Sequence, residues 1–175
     1  MSWRLRRATV TDLDAVMALE NASFAHDAWS RESMASEIAH PYGYYLVGLD
    51  AEAPDPDFAA DPGALQGYAG LLCPPGTDIA DIQTIAVAES ARGRGLGRQL
   101  MMRLIAEATD RGARSVLLEV RADNPVAHAL YVSLGFIDIA RRPKYYQPDS
   151  VDAIVMQLDL AGRTPALATA QGDPS

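Results

Sequence analysis

A chain of 175 residues, 49% of them hydrophobic, is long enough to bury one core without disulfides or metal. Its only cysteine, Cys73, excludes an intrachain disulfide and, set in an apolar run, reads as a buried thiol of a reducing, cytoplasmic compartment. The net charge of −8 and a single lysine, Lys144, argue against the broad basic face that direct nucleic-acid binding needs.

The charge is uneven. Residues 1–91 carry 4 basic and 14 acidic side chains, whereas residues 92–175 carry 11 and 9. The acidic half suits a cationic partner such as a basic protein tail, and the arginines of the second half suit an anionic ligand; surface solubility is the plain alternative for both. The opening residues lack the apolar stretch of a signal peptide and no window is long and apolar enough to span a bilayer, so no membrane partner is expected.

In chain order, residues 4–8 read as a short strand. Thr11 then caps a helix to about Ser23, with Leu13, Val16, Met17 and Leu19 at helical spacing. Ser30 starts a second helix, with Trp29 and Met34 at the two positions of a hydrophobic staple. Residues 44–49 and 66–73 are strand-like, and the Asp/Pro/Ala stretch between them is expected to be a long, poorly ordered hairpin loop. Residues 79–87 form the next strand. From Gly95 to Asp110, Leu96, Leu100, Leu104 and Ala108 mark a helix, widened by Met101 and Ile105 and stopped by Gly112. Residues 116–120 form a nearly all-apolar strand, as for one buried on both faces. Asn124 caps a helix that has Pro125 at its first position and ends at Gly135. Residues 136–142 and 153–158 are strands around a Pro/Lys/Tyr/Gln/Pro/Asp turn. The order β-α-α-β-β-β-α-β-α-β-β implies an α/β (α+β) fold with a mixed sheet. One domain is expected over residues 1–160, followed by a disordered tail over 161–175.

Arg92-Gly93-Arg94-Gly95-Leu96-Gly97-Arg98 lies between a strand and a helix. Glycines let backbone N–H groups approach an anion closely and the helix start adds the positive end of its dipole, so a pyrophosphate fits; a plain strand-to-helix turn with surface arginines is the alternative. A dinucleotide fingerprint fails because the third glycine position holds Arg98, and the Gly-Lys of a Walker loop is absent.

The pattern Arg92-x-x-Gly95-x-Gly97, with Ile85-Ala86-Val87 before it, resembles the acyl-coenzyme A pyrophosphate loop of the GNAT superfamily. Downstream, Leu118-Glu119-Val120-Arg121-x-x-Asn124, Ala127-x-x-Leu130-Tyr131 and the late Arg142-x-x-Tyr145-Tyr146 resemble the signature of the RimI-like ribosomal-protein-alanine N-acetyltransferases. The resemblance covers residues 3–159, densely from Thr84 onward. It implies a GNAT fold: a mostly antiparallel sheet whose fourth and fifth strands splay apart, with helices on both faces. Acetyl-CoA is the implied cosubstrate, held by the backbone of Ile85, Ala86 and Val87, by the loop from Arg92 to Arg98, and by Asn124, whose capping role is a sufficient reason for it by itself.

By the same resemblance Glu119 is the general base and Tyr131 the acid that protonates the departing thiolate. Physics agrees in part, since a carboxylate at the end of an apolar strand must reach solvent, a partner such as Arg121, or a site. Tyr131 read without the family is a core aromatic. Peptide contacts would come from the loop between the first two helices, Phe24 to Trp29, and from the hairpin at Arg142 to Tyr146, with Tyr145 and Tyr146 lining the acceptor groove; ordinary strand-end aromatics are the alternative for these two. The implied acceptor is the N-terminal alanine of a small-subunit ribosomal protein, a basic partner; lysine or a small amine as acceptor, and a noncatalytic acyl-CoA-binding module, remain open. Cys73 has no histidine evidently placed to activate it, and His26, His40 and His128 lack metal-ligand spacing, so no metal is expected.

Overall fold

Every strand must hand its backbone polar groups to a neighbour, and a single sheet does this here, in the order β1-β2-β3-β4-β5-β7-β6. The structure, a computed structural model, describes residues 2–52 and 64–162; most of the loop expected after Asp50 and the tail from residue 163 lie outside the described residues. The elements are β1 (Trp3–Arg7), α1 (Leu13–Ser23), α2 (Arg31–Ile38), β2 (Gly43–Asp50), β3 (Leu65–Leu72), β4 (Ile79–Val87), α3 (Leu96–Asp110), β5 (Ser115–Arg121), α4 (Pro125–Ser133), β6 (Ile137–Tyr146) and β7 (Val151–Asp159). All neighbouring strands are antiparallel except β4 and β5. This is the mixed, mostly antiparallel sheet that the order of elements implied. None of the described helices is long and apolar enough to cross a membrane.

Side chains alternate across β2, so Tyr44 and Leu46 join one core while Tyr45, Val47 and Leu49 join the other. The first core is closed by α3, whose stripe Leu96, Leu100, Met101, Leu104, Ile105 and Ala108 is buried against the sheet. Burial of each large member of that stripe is worth roughly 1.5–3 kcal/mol. The second core is closed by α1 and α2 through Leu13, Val16, Met17 and Met34. Helices thus cover both faces.

Three local expectations are corrected. The first helical segment starts at Thr9, not Thr11: a 3-10 turn over Val10–Asp12 leads into α1, and the Asp12 carboxylate accepts the Thr9 N–H at 2.8 Å. Asp12 also takes both arms of Arg6 at 2.8 Å, so although burial works against its charge, the Arg6 guanidinium holds its carboxyl below the usual value. β5 is not buried on both faces; Val116, Leu118 and Val120 are in the core, but Leu117, Glu119 and Arg121 are half-buried. Strands covered on both sides are β2, with α3 over one face and α2 over the other, and β3, which lies between α3 and α1. Finally, β6 continues through Tyr146 by way of a register shift after Arg142, so the turn expected from Pro143 begins only at Gln147.

One close contact couples the fold to the cavity described below. Gly70 of β3 stands directly opposite Tyr45 of β2, and a Cβ on it would collide with the hydroxyl end of the Tyr45 ring. That ring is buried, and its hydroxyl donates to Gln83 Oε1 at 2.7 Å. Gly70→Ala is therefore expected to lower stability by about 1–3 kcal/mol, read as a fall in the urea midpoint with the slope unchanged.

Candidate active site

β4 and β5 pair in parallel only over Ile79–Asp81 and Ser115–Leu117. Beyond these residues β4 stays with β3 as far as Val87 and β5 stays with β7 as far as Arg121, so the sheet opens between them. This is the splay that the family resemblance implied. Three contiguous cavities run through it. One of about 640 Å³ is lined by Ile85, Ala86 and Val87 of β4, the glycine loop and α4. A central one of about 180 Å³ lies between Thr84 and Ile85 on one strand and Leu118, Glu119 and Val120 on the other. A third of about 590 Å³ continues past Glu119 to Arg142, Tyr145 and Tyr146.

The first cavity has backbone and arginine donors of the kind that suit an extended anion. Gly95 adopts φ +84° and Gly93 φ +73°, a region costly for residues with a side chain, and no atom lies within 4 Å of where either Cβ would be. Gly95 is the N-cap of α3 and offers no side-chain cap, which leaves the first N–H groups of a 15-residue helix to face a ligand. Arg92 and Arg98 line the same cavity; Arg92 Nε donates to the Val87 carbonyl at 3.3 Å and Arg98 Nη2 to Ser133 Oγ at 2.7 Å. This donor set fits a diphosphate, and the unpaired side of β4 fits an amide-bearing arm beyond it. Asn124 both caps α4, accepting the Ala127 N–H at 3.1 Å, and lines the first and central cavities.

Opposite the arm, Glu119 is held by Arg142 at 3.1 Å and by the Tyr145 hydroxyl, a bond that raises the Tyr145 pKa. Its partner is therefore Arg142, not Arg121. Arg121 instead gathers Asp27, Asp123 and Asp149 at 3.5, 3.0 and 3.3 Å and lies over the Tyr146 ring, tying the α1–α2 loop to the β6–β7 hairpin. Tyr131, 5% exposed, sits on α4 against Phe136; burial pushes its phenol up to about 12, so it keeps its proton at neutral pH. Tyr146 is likewise pushed up to about 12, by burial and by the nearby Glu119. Asp81 joins Glu119 in the third cavity, where burial and then the charge of Glu119 raise its carboxyl.

Most of the residues singled out in the sequence converge here. Ile85, Ala86, Val87, Arg92, Gly93, Gly95, Leu96, Gly97, Arg98 and Asn124 share the first cavity; Glu119 and Tyr131 share the central one; Trp29, Arg142, Tyr145 and Tyr146 share the third. Arg94 does not line these cavities, and its carbonyl accepts the Trp3 indole N–H at 3.0 Å. Phe24 lines the first and central cavities but not the third, which places it nearer the thioester side than the peptide side. Cys73 lies outside all three, 2% exposed, and burial raises its thiol. Sequence reading did not single out Glu20, Asp81 or Gln83, and Asp27 entered only as part of the loop from Phe24 to Trp29; the acidic excess of the first half was the one trace of the carboxylates, and Gln83 left none.

The chain is similar to known proteins in sequence and in fold. The profile of the acetyltransferase (GNAT) family matches residues 13–136. An uncharacterized protein of Mycobacterium leprae is 36% identical over 154 residues, 85% of this chain and 38% of that protein, so the chain spans well under half the length of that relative. The N-alpha-acetyltransferase RimI of Mycobacterium tuberculosis is 36% identical over 153 residues, 85% of this chain and 80% of that protein. The crystal structure of the ribosomal-protein-S18-alanine N-acetyltransferase from Escherichia coli superposes with a TM-score of 0.77 at 30% identity, covering 97% of this chain and 99% of that one.

Proposed function

The chain belongs to the GNAT acetyltransferase family, and from that premise we propose that it moves acetyl from acetyl-CoA to the N-terminal amine of a small-subunit ribosomal protein, an S18-type alanine terminus, in the cytoplasm. The observation that carries this reading is the continuity of the three cavities: an anion cradle at one end, Glu119 and Tyr131 in the middle, and an acceptor pocket at the other. The acceptor pocket holds three carboxylates, Asp27, Asp81 and Glu119, against Arg142, which suits a cationic terminus.

A protein α-amine titrates near about 7.7–8.0 and a lysine near about 10.4, so at neutral pH the former reaches its nucleophilic form with one carboxylate base. In the proposed reaction Glu119 takes a proton from the ammonium, and the nitrogen lone pair attacks the thioester carbonyl carbon. The carbonyl oxygen gathers negative charge beside β4, where a backbone N–H among Ile85–Val87 stabilises it. As the C–S bond breaks, Tyr131 gives its proton to sulfur. The ammonium sheds two protons in all: one restores Tyr131, and the other leaves to solvent through Glu119. The products are the acetylated terminus and the free coenzyme thiol.

Incubation with acetyl-CoA and a library of N-terminal peptides, analysed by mass spectrometry, is expected to show acetyl on α-amines of alanine-initiated basic peptides. Acetyl found only on lysine side chains or small amines would replace the acceptor assignment, and no thiol release with any acceptor would point to a binding module.

A further inference from the structure

Glu20 is 1% exposed on α1, and the catalytic scheme above does not use it. A buried carboxylate is expensive unless each oxygen finds a donor. Its Oε1 accepts the Trp29 N–H at 2.9 Å, pinning the α1–α2 loop, but its Oε2 is buried without a hydrogen-bond partner among the described residues. The side chain lines the central cavity, together with Glu119, Tyr131 and Tyr146, and lines neither the diphosphate cavity nor the acceptor pocket beyond Glu119. A ligand group that meets Glu20 is therefore one that occupies the junction where thioester and amine meet. Burial first of all, and the nearby Asp27, raise the carboxyl's hold on its proton, with the Trp29 N–H working the other way; a cation or N–H donor in the cavity would relieve the ionised form.

We propose that Glu20 is an amine-binding residue: Oε2 accepts one N–H of the acceptor's terminal amino group while Glu119, across the cavity on β5, takes another as a proton. An α-ammonium carries three N–H donors, so one carboxylate leaves it free to rotate, whereas two on opposite walls fix the direction of the lone pair. The inference rests on the amine-acetyltransferase reading and adds to it the group that orients the nucleophile.

Glu20→Gln separates this role from a structural one, because the glutamine oxygen keeps the Trp29 N–H bond while its amide group replaces the free acceptor with a donor. With an alanine-initiated peptide, KM for peptide is expected to rise about 10- to 100-fold, with the Kd for acetyl-CoA and Tm close to wild type. Peptide KM within two-fold of wild type would overturn the proposal. A second measurement needs no variant: in a crystal structure of the wild-type chain with a coenzyme A–peptide conjugate, the reacting nitrogen should lie within about 3.2 Å of Glu20 Oε2, and a nitrogen facing only β5 would overturn it. If the wild-type chain acetylates no peptide, the function proposed above fails; if it does and Glu20→Gln is silent, only this inference fails.

Discussion

Glu119→Gln should slow single-turnover acetyl transfer by about 100- to 10,000-fold, the range for loss of a positioned general base. The residue does not line the cavity at the glycine loop, so the Kd for acetyl-CoA should stay near wild type, as calorimetry would report. Stability should change little, because the amide can still accept from the Tyr145 hydroxyl and from Arg142, which is itself more than half exposed. A variant that transfers acetyl at the wild-type rate would remove Glu119 from the chemistry and leave it as a partner for Arg142.

Tyr131→Phe should lower the same rate by about 100-fold or more through loss of the proton donor to sulfur. The ring would still pack on Phe136, so the fold and cofactor affinity are expected to hold. The alkaline side of the pH profile offers an independent check. Burial pushes the Tyr131 phenol up to about 12, so the donor form persists through the physiological range, and an ordinary tyrosine would instead begin to lose it near pH 10. Wild-type activity should therefore show no loss assignable to this group below about pH 11, and a poorer leaving thiol should widen the gap between wild type and Tyr131→Phe.

The two variants test the same geometric fact, that both side chains border one cavity. Glu119 reaches the central cavity because β5 keeps β7 as its partner while it leaves β4, and Tyr131 reaches it because Asn124 and Pro125 start α4 directly beyond the end of β5. With β4 and β5 paired along their full length, the cavity that both side chains line would be closed.

Much of this was legible in the chain itself. Periodicity located α3 to within a residue, because Leu96, Leu100, Leu104 and Ala108 recur at every fourth position with Met101 and Ile105 beside them, and the β4 limits agree with those expected. Local punctuation was equally readable: Ser30 caps α2 and accepts the Ser33 N–H, and Gly95 takes the left-handed geometry at the start of α3. The errors fell where tertiary partners outweigh local preference. Thr11 has the chemistry of a cap, yet Asp12 both pairs with Arg6 and accepts the Thr9 N–H, so the cap is Thr9 and a 3-10 turn precedes α1. The apolar run of β5 reads as doubly buried, yet only the even-numbered face meets α3, since the odd-numbered face borders the splay.

By itself, then, the sequence determined the order of elements and singled out the glycine-arginine loop, Glu119 and Tyr131 as site candidates, because each depends on neighbours within a few positions or on a motif of fixed spacing. Only the tertiary structure decided that Glu119 pairs with Arg142, that Arg121 ties three acidic segments together, and that Glu20 shares a cavity with both catalytic candidates. Those contacts join residues up to about a hundred positions apart, and their register is set by which strands stay paired and where one pair lets go, a property of the whole sheet that no local window contains.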